Sequence, residues 1–249
     1  IKHLKNLYFF FFSLLISSTI IAQSGFITEE TTKASFKIGS MESSVHKYFS
    51  EDTYYSKMDF SFQGKGLARV MSRDVKSGTI ISFKDSTIIK IDHKKNRFTK
   101  KQLSEVLEEI ESEPENESEN QEDGDSDEDN FTPIVSDTVE MVNGFESYKI
   151  TLSEDDGKQY IWVTSTTRQS KIVKSMQSKI DEFERNWINF DGDFSEIGID
   201  QDVIVVKAVF SDEDGSFEYN LKVYTPIDSL PNIFDIPEDY KKVKKLKMF

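Results

Sequence analysis

The sequence predicts a mainly-β chain, an antiparallel sheet that curls toward a half-barrel, with one or two helices. Three observations carry that expectation. Short stretches alternate apolar and polar residues, as in Met58, Phe60 and Phe62 against Asp59, Ser61 and Gln63, or Phe217, Tyr219, Leu221 and Val223 against Glu218, Asn220 and Lys222. That is the period of a half-buried strand. Turn signals recur at close intervals (Lys84-Asp85-Ser86, Asn143-Gly144, Asp212 to Gly215), too close for the long crossovers that parallel strands need. Gln169 to Trp187 is the clearest helix, with Ile172, Val173, Met176, Ile180, Phe183 and Trp187 on one stripe.

Composition sets the class. The chain has 249 residues, 20 Phe, 9 Tyr, only 5 Pro and no Cys. The aromatics are ample for a core, and the absence of cysteine excludes disulfides, thiol catalysis and Cys-based metal sites. Lys2 and Lys5 precede the apolar run Leu7 to Leu15, and small residues lead to Ala22-Gln23. This order reads as a secretory signal peptide over residues 1–22, cleaved after Ala22; the rival reading is a retained membrane anchor. The mature chain, 23–249, is then periplasmic or secreted, and export without cysteine suits a Gram-negative bacterium. Fourteen acidic residues lie between Glu105 and Asp129 with no basic residue among them, so that stretch sums to as much as the chain's whole net charge of −14, and without Lys2 and Lys5 the rest of the mature chain sums to only about −2. Residues 111–130 hold almost nothing apolar and are expected to be a disordered insertion in one β-rich domain.

Taken in order, Gly25 to Ile38 is expected to be a first strand with a break, and Ser40 to Ser56 a loop or short helix. Met58 to Gln63 is a strand, continued by Leu67 to Met71 after a bend or bulge at Gly64 and Gly66. Lys76-Ser77-Gly78 is a turn. Thr79 to Phe83 and Thr87 to Asp92 form a strand–turn–strand, and Arg97 to Thr99 follows. Lys100 to Ile110 has Leu103, Val106, Leu107 and Ile110 at helical spacing. Val135 to Ser165 reads as three antiparallel strands joined at Asn143-Gly144, a type I′ signal, and at Ser153 to Gly157. Asn189 to Gln201 is an acidic loop, Val203 to Phe210 and Ser216 to Tyr224 a hairpin, and Lys241 to Phe249 a solvated basic tail. In all, nine to eleven strands are expected.

Catalytic constellations are scarce. His46 and His93 stand far apart without metal-spaced companions, and no nucleophile elbow, phosphate loop or His-Glu-x-x-His run is present. Asp123 to Asp129 and Asp191 to Glu196 do not fit an EF-hand loop. No catalytic residue, metal ligand or cofactor is expected, and a mildly acidic folded body argues against nucleic acid. The aromatic strands offer more. Phe60 and Phe62, Tyr148 and Ile150, Tyr160 and Trp162, and Phe217 and Tyr219 sit at matching positions of different strands. A sheet curled around an apolar cavity would place them on its wall; an ordinary core capped by the helix is the bland alternative.

Asn143 to Ile150 followed by Tyr160 to Thr164 resembles the core of the uncharacterised exported DUF4412 family. Leu230 to Tyr240 resembles its closing Phe-x-Ile-Pro-x-x-Tyr, and Ile88 to Phe98 its central strands. The resemblance implies a LolA-like fold, that of the outer-membrane lipoprotein carriers: a half-barrel with helix over its concave apolar face, holding acyl chains. Many members carry a cysteine where Ser147 stands, and no gating residue of the carriers maps onto this chain. The expected function is a non-enzymatic envelope binding protein for an apolar or acylated ligand, touching but not spanning a membrane. The alternative is a structural or interaction protein of the envelope.

Overall fold

The computed structural model describes residues 25–112, 133–154, 157–165, 173, 176, 179, 180, 183, 203–227 and 235–246. The expected signal segment, the acidic insertion from residue 113 and the Asn189 to Gln201 loop lie outside them.

Alternation and turns produce two meanders of one sheet. The first runs through β1 (Gly25–Phe36), β2 (Gly39–Phe49), β3 (Thr53–Gly64), β4 (Arg73–Ser82), β5 (Thr87–Asp92) and β6 (Arg97–Gln102). Helix α1 (Leu103–Ser112) follows. The second comprises β7 (Ile134–Val142), β8 (Phe145–Glu154), β9 (Gly157–Ser165), β10 (Val203–Ser211) and β11 (Gly215–Ile227). β11 returns to pair with β1, so the meanders fuse in mid-sheet, and β12 (Lys241–Lys242) adds to the far edge. The order among the described residues is β12-β6-β5-β4-β3-β2-β1-β11-β10-β9-β8-β7. The two edges, β12 and β7, do not meet, so the curved antiparallel sheet stays open rather than closing into a barrel.

Several local expectations are corrected. Ser40 to Ser56 is not a loop or helix. Its residues 40–49 belong to β2, where Met41, Val45 and Phe49 alternate with polar neighbours and pair with strands on both sides. The many serines masked that period. Leu67 to Met71 does not continue a strand: Gly66 takes φ +57° and Gly66–Met71 winds into a 3-10 turn. Lys76 to Gly78 is strand rather than turn. Gly78 sits in β4 because the His93 ring crosses over it, and a Cβ there would fall 2.8 Å from His93 Nε2. The basic tail is not wholly solvated, since Lys241 and Lys242 pair in parallel with Arg97 and Phe98. The break expected in the first strand is a register shift at Glu29/Glu30. At the β7–β8 turn Asn143 and Gly144 take positive φ as their type I′ signal requires.

The core lies on one face, in two clusters. Phe26, Phe49, Tyr54, Ile81 and Ile88 form a row across β1–β5 under Val106 of α1 and Met176, Ile180 and Phe183. Val173, Met176 and Ile180 are helical, as the spacing predicts, and Ile180 is fully buried. A second cluster joins Ile150, Ile161, Val163, Val205 and Ala208 on β8–β10. The opposite face carries a smaller one, Tyr55, Ile80 and Ile91, with Tyr48, Phe98 and Tyr240 packed on it.

Candidate functional site: an aromatic trough on the helix-covered face

In an antiparallel sheet, directly paired residues share a face, so the register shows which predicted side chains meet. One row reads Phe62, Met41, Ala34, Phe217 and Phe210 from β3 through β2, β1 and β11 to β10. The next reads Val75, Phe60, Ser43, Thr32, Tyr219, Ala208, Ile161 and Ile150, from β4 to β8. Both rows lie on the face that the helical residues cover. Phe60 and Phe62 thus stand three strands from Tyr219 and Phe217, about 14 Å at the usual strand spacing. Between them the side chains are short: Ala34, Ser43 and Thr32, with Met41 the exception. Large side chains thus flank small ones in a trough-like row, in which Ala34 and Thr32 are themselves covered and Ser43 is half-buried.

Six of the eight predicted residues share this face: Phe60, Phe62, Phe217, Tyr219, Ile150 and Tyr148, the last paired with Val163. Ile150 is in the second core cluster, whereas Tyr148 is 43% exposed beside the open β7 edge. Tyr160 and Trp162 are on the opposite face. Ile161, not its neighbours, pairs with Ile150, and a one-residue step reverses the face. There Lys149 Nζ lies 4.1 Å from the Tyr160 ring centre, and Trp162 Nε1 donates to Glu140 at 3.2 Å. Neither therefore lines the trough.

Phe60, Phe62, Met41, Met58 and Phe217 are half-buried, unlike the fully buried row of Phe26, Phe49, Tyr54 and Ile81 on the same strands. Between the two zones the face turns polar. Lys47 Nζ lies 3.0 Å from Glu30 Oε1, and the Thr28 hydroxyl donates to the same carboxylate at 3.3 Å. Burial, with the Glu30 charge behind it, pushes the Tyr219 phenol well above its ordinary pKa, so it stays a neutral hydroxyl. The trough thus has aromatic walls, a floor of hydroxyl and methyl groups, and an ion pair at one end. Sequence reasoning missed Met41 and Ser43 because β2 was not recognised. Met41, Val45 and Phe49 lie four apart, a spacing that fits a helix face as well as a strand face, so the segment alone does not decide.

Beside its smaller apolar cluster, the other face carries charged and hydroxyl side chains. Two open grooves of about 450 and 360 Å³ share Lys33, Glu42 and Ser61. Lys33 pairs with Glu42 at 3.3 Å, and Asp59 Oδ1 is buried with no hydrogen-bond partner among the described residues. Nearby, His93 Nδ1 and the Tyr240 hydroxyl are 2.9 Å apart, and the Asn96 amide donates to Asp239 at 2.9 Å. Together with β12 these contacts strap the closing segment onto the sheet. Burial, reinforced by the Lys57 charge, lowers the His93 pKa, so a neutral ring meets Tyr240. Ser147, where the resembled family often has cysteine, is fully buried, its hydroxyl donating to the Phe145 carbonyl at 3.2 Å. Among the described residues no three His, Asp or Glu side chains gather as a metal site.

No protein-family model matches the chain, and no curated protein does. Solved structures of PNGF-II in two crystal forms align over 88% and 89% of this chain at 10% identity, with TM-scores of 0.29 and 0.27. The chain spans about a third (31%) of those proteins. A DUF1329 family protein from Desulfovibrio piger aligns over 89% of this chain and 92% of its own, at 11% identity and a TM-score of 0.22. Likenesses this distant carry no functional argument.

Proposed function

We propose that the protein is an exported, non-enzymatic binding protein of the cell envelope that holds an apolar or acylated ligand in the trough between Phe60/Phe62 and Phe217/Tyr219. One observation carries the reading. Two adjacent cross-strand rows set half-buried aromatics on either side of Ala34, Ser43 and Thr32. An ordinary core sets large side chains against one another across strands, whereas here half-buried rings stand beside small ones. An acyl chain lying along it would remove apolar wall from water, at about 25 cal/mol per Å². The Glu30–Lys47 pair at the trough's end suits a polar head. The signal-peptide pattern and the resemblance to DUF4412 and the lipoprotein carriers support the same reading.

Titration with a fluorescent long-chain fatty acid tests it. Saturable binding is expected, weakened about tenfold by Phe60→Ala, the loss of roughly 1.4 kcal/mol of apolar contact. Trp162→Ala, on the other face, should leave binding unchanged. Equal weakening by both variants, or no saturable binding, overturns the reading.

A second reading is an envelope interaction protein without a small ligand. The charged side chains Lys33, Glu42 and Asp59 along the two grooves favour it. It predicts that removing residues 113–132 abolishes recovery of an envelope partner while the melting temperature stays put.

A further inference from the structure

We propose that the end of the sheet formed by the β1–β2 and β3–β4 turns docks on a lipid surface bearing anionic headgroups. The β3–β4 connection reads Lys65-Gly66-Leu67-Ala68-Arg69-Val70-Met71-Ser72-Arg73, with three large apolar residues, three cations and no acid. In the fold, Leu67 is 96% exposed, Val70 91% and Met71 62%. The neighbouring β1–β2 turn adds exposed Phe36 and Ile38. Five large apolar side chains thus face water at one end of the molecule. Soluble proteins rarely tolerate such a cluster unless something covers it.

The display is built rather than accidental. Lys65 N–H donates to the Ile38 carbonyl at 2.8 Å, tying the two turns together. Gly64 N–H donates to Ser72 Oγ at 2.8 Å, closing the base, and Ala68 N–H donates to the Lys65 carbonyl at 3.0 Å. A Cβ at Gly64 would fall 1.9 Å from the Ala68 carbonyl oxygen, so only glycine lets the turn fold this tightly. The backbone holds Leu67 and Val70 outward, although half-buried Phe62 and Met41 lie just behind on the sheet.

Charge selects the occupant. Lys65 and Arg69, both exposed, alternate with the apolar residues, and Lys37 and Arg73 flank them. Side chains so arranged can enter the acyl boundary while the cations remain among headgroups. On the β1–β4 side the nearest acid is Asp74, which accepts from the Ser61 hydroxyl at 2.8 Å; the other acids at this end gather in the β10–β11 turn, Asp212, Glu213 and Asp214, where Asp214 holds Lys37. The surface is therefore divided, and the cationic, apolar β1–β4 side is the one that meets lipid. A second copy of the chain is the weaker occupant. A two-fold contact would set Lys65, Arg69 and Arg73 of one copy against the same cations of the other. Among the described residues no helix is long and apolar enough to cross a membrane, so the contact is peripheral. The inference does not depend on what the trough holds.

Because the chain has no cysteine, Val70→Cys places an environment-sensitive dye at one site of the full-length protein. With vesicles containing phosphatidylglycerol, the dye emission should shift to the blue, and added salt should weaken the shift. Pure phosphatidylcholine should give little. Lys65→Glu combined with Arg69→Glu should raise the lipid concentration needed about tenfold. A dye at Ser86→Cys, at the other end of the sheet, should keep its aqueous emission. The proposal is overturned if the position-70 dye stays aqueous while the protein sediments with vesicles, because another segment is then the anchor. It is equally overturned by an equal shift on neutral vesicles, or by a shift that follows protein concentration without lipid.

Discussion

The two ends of the helix-covered face use the same strands and opposite packing. At one end Phe26, Phe49, Tyr54 and Ile81 lie fully buried under Met176 and Ile180. At the other, Phe60, Phe62 and Phe217 flank small residues and stay half-buried. Strand alternation cannot distinguish these ends, because it puts aromatics on the inward face of β3 at both, Tyr54 at one and Phe60 and Phe62 at the other. What differs is the row across the sheet: at the buried end large residues are continuous from β1 to β5, whereas at the open end Ala34, Ser43 and Thr32 interrupt them. Aromatic residues build core where their cross-strand neighbours are large, and walls where those neighbours are small.

The largest effect should separate the ends by stability. Phe49→Ala removes a ring from a closed row and should cost about 3–5 kcal/mol, read by chemical denaturation. Phe60→Ala on the next strand should cost only about 1 kcal/mol, because the ring is already part-solvated. Equal losses would mean the open end is ordinary core.

A smaller effect concerns the opposite face, where the closing strap holds on through Tyr240. Tyr240→Phe keeps the ring against the Tyr55, Ile80 and Ile91 cluster and removes only the hydroxyl contact to His93. It should cost about 1 kcal/mol in thermal or denaturant melts. The same contact should make stability depend on pH. The folded His93 has a lowered pKa, chiefly through burial, so folded protein takes up this proton less readily than unfolded chain. Its contribution is intact above the ordinary histidine pKa of about 6.5 and is lost as pH falls through the lower folded value. Melting temperature should therefore fall between pH 7.5 and 5, and His93→Gln should flatten part of that slope. An unchanged slope would show that His93 is not insulated as its burial implies.

The smallest effect is expected from removing residues 113–132, which link α1 to β7. On the ligand-binding reading, both melting temperature and fatty-acid affinity should stay near those of the intact chain. A large loss of affinity would move the site away from the trough.

Much of the fold was legible because its signals are local. Asn143-Gly144 specified its turn, Phe217 to Val223 its strand, and Val173, Met176 and Ile180 their helical stripe. The failures share a cause. In β2 the serines and His46 hide the period, and only pairing with β1 and β3 makes the segment a strand. Gly78 looks like a turn residue until His93, fifteen positions on, crosses over it. The site was half legible for the same reason. Alternation identified Phe60, Phe62, Phe217 and Tyr219. Placing Tyr160 and Trp162 on the far face required register, which is a property of pairs of strands. Ala34, Ser43 and Thr32 carry no signal at all in sequence, yet they make the trough.

The most direct measurement is native mass spectrometry of protein purified gently from its own envelope, beside Phe60→Asp/Phe217→Asp protein prepared identically. The account predicts a bound mass of apolar or acylated character on the first and its loss from the second, with both folded. Wild-type protein that is consistently empty, or a bound mass that survives both substitutions, would contradict it.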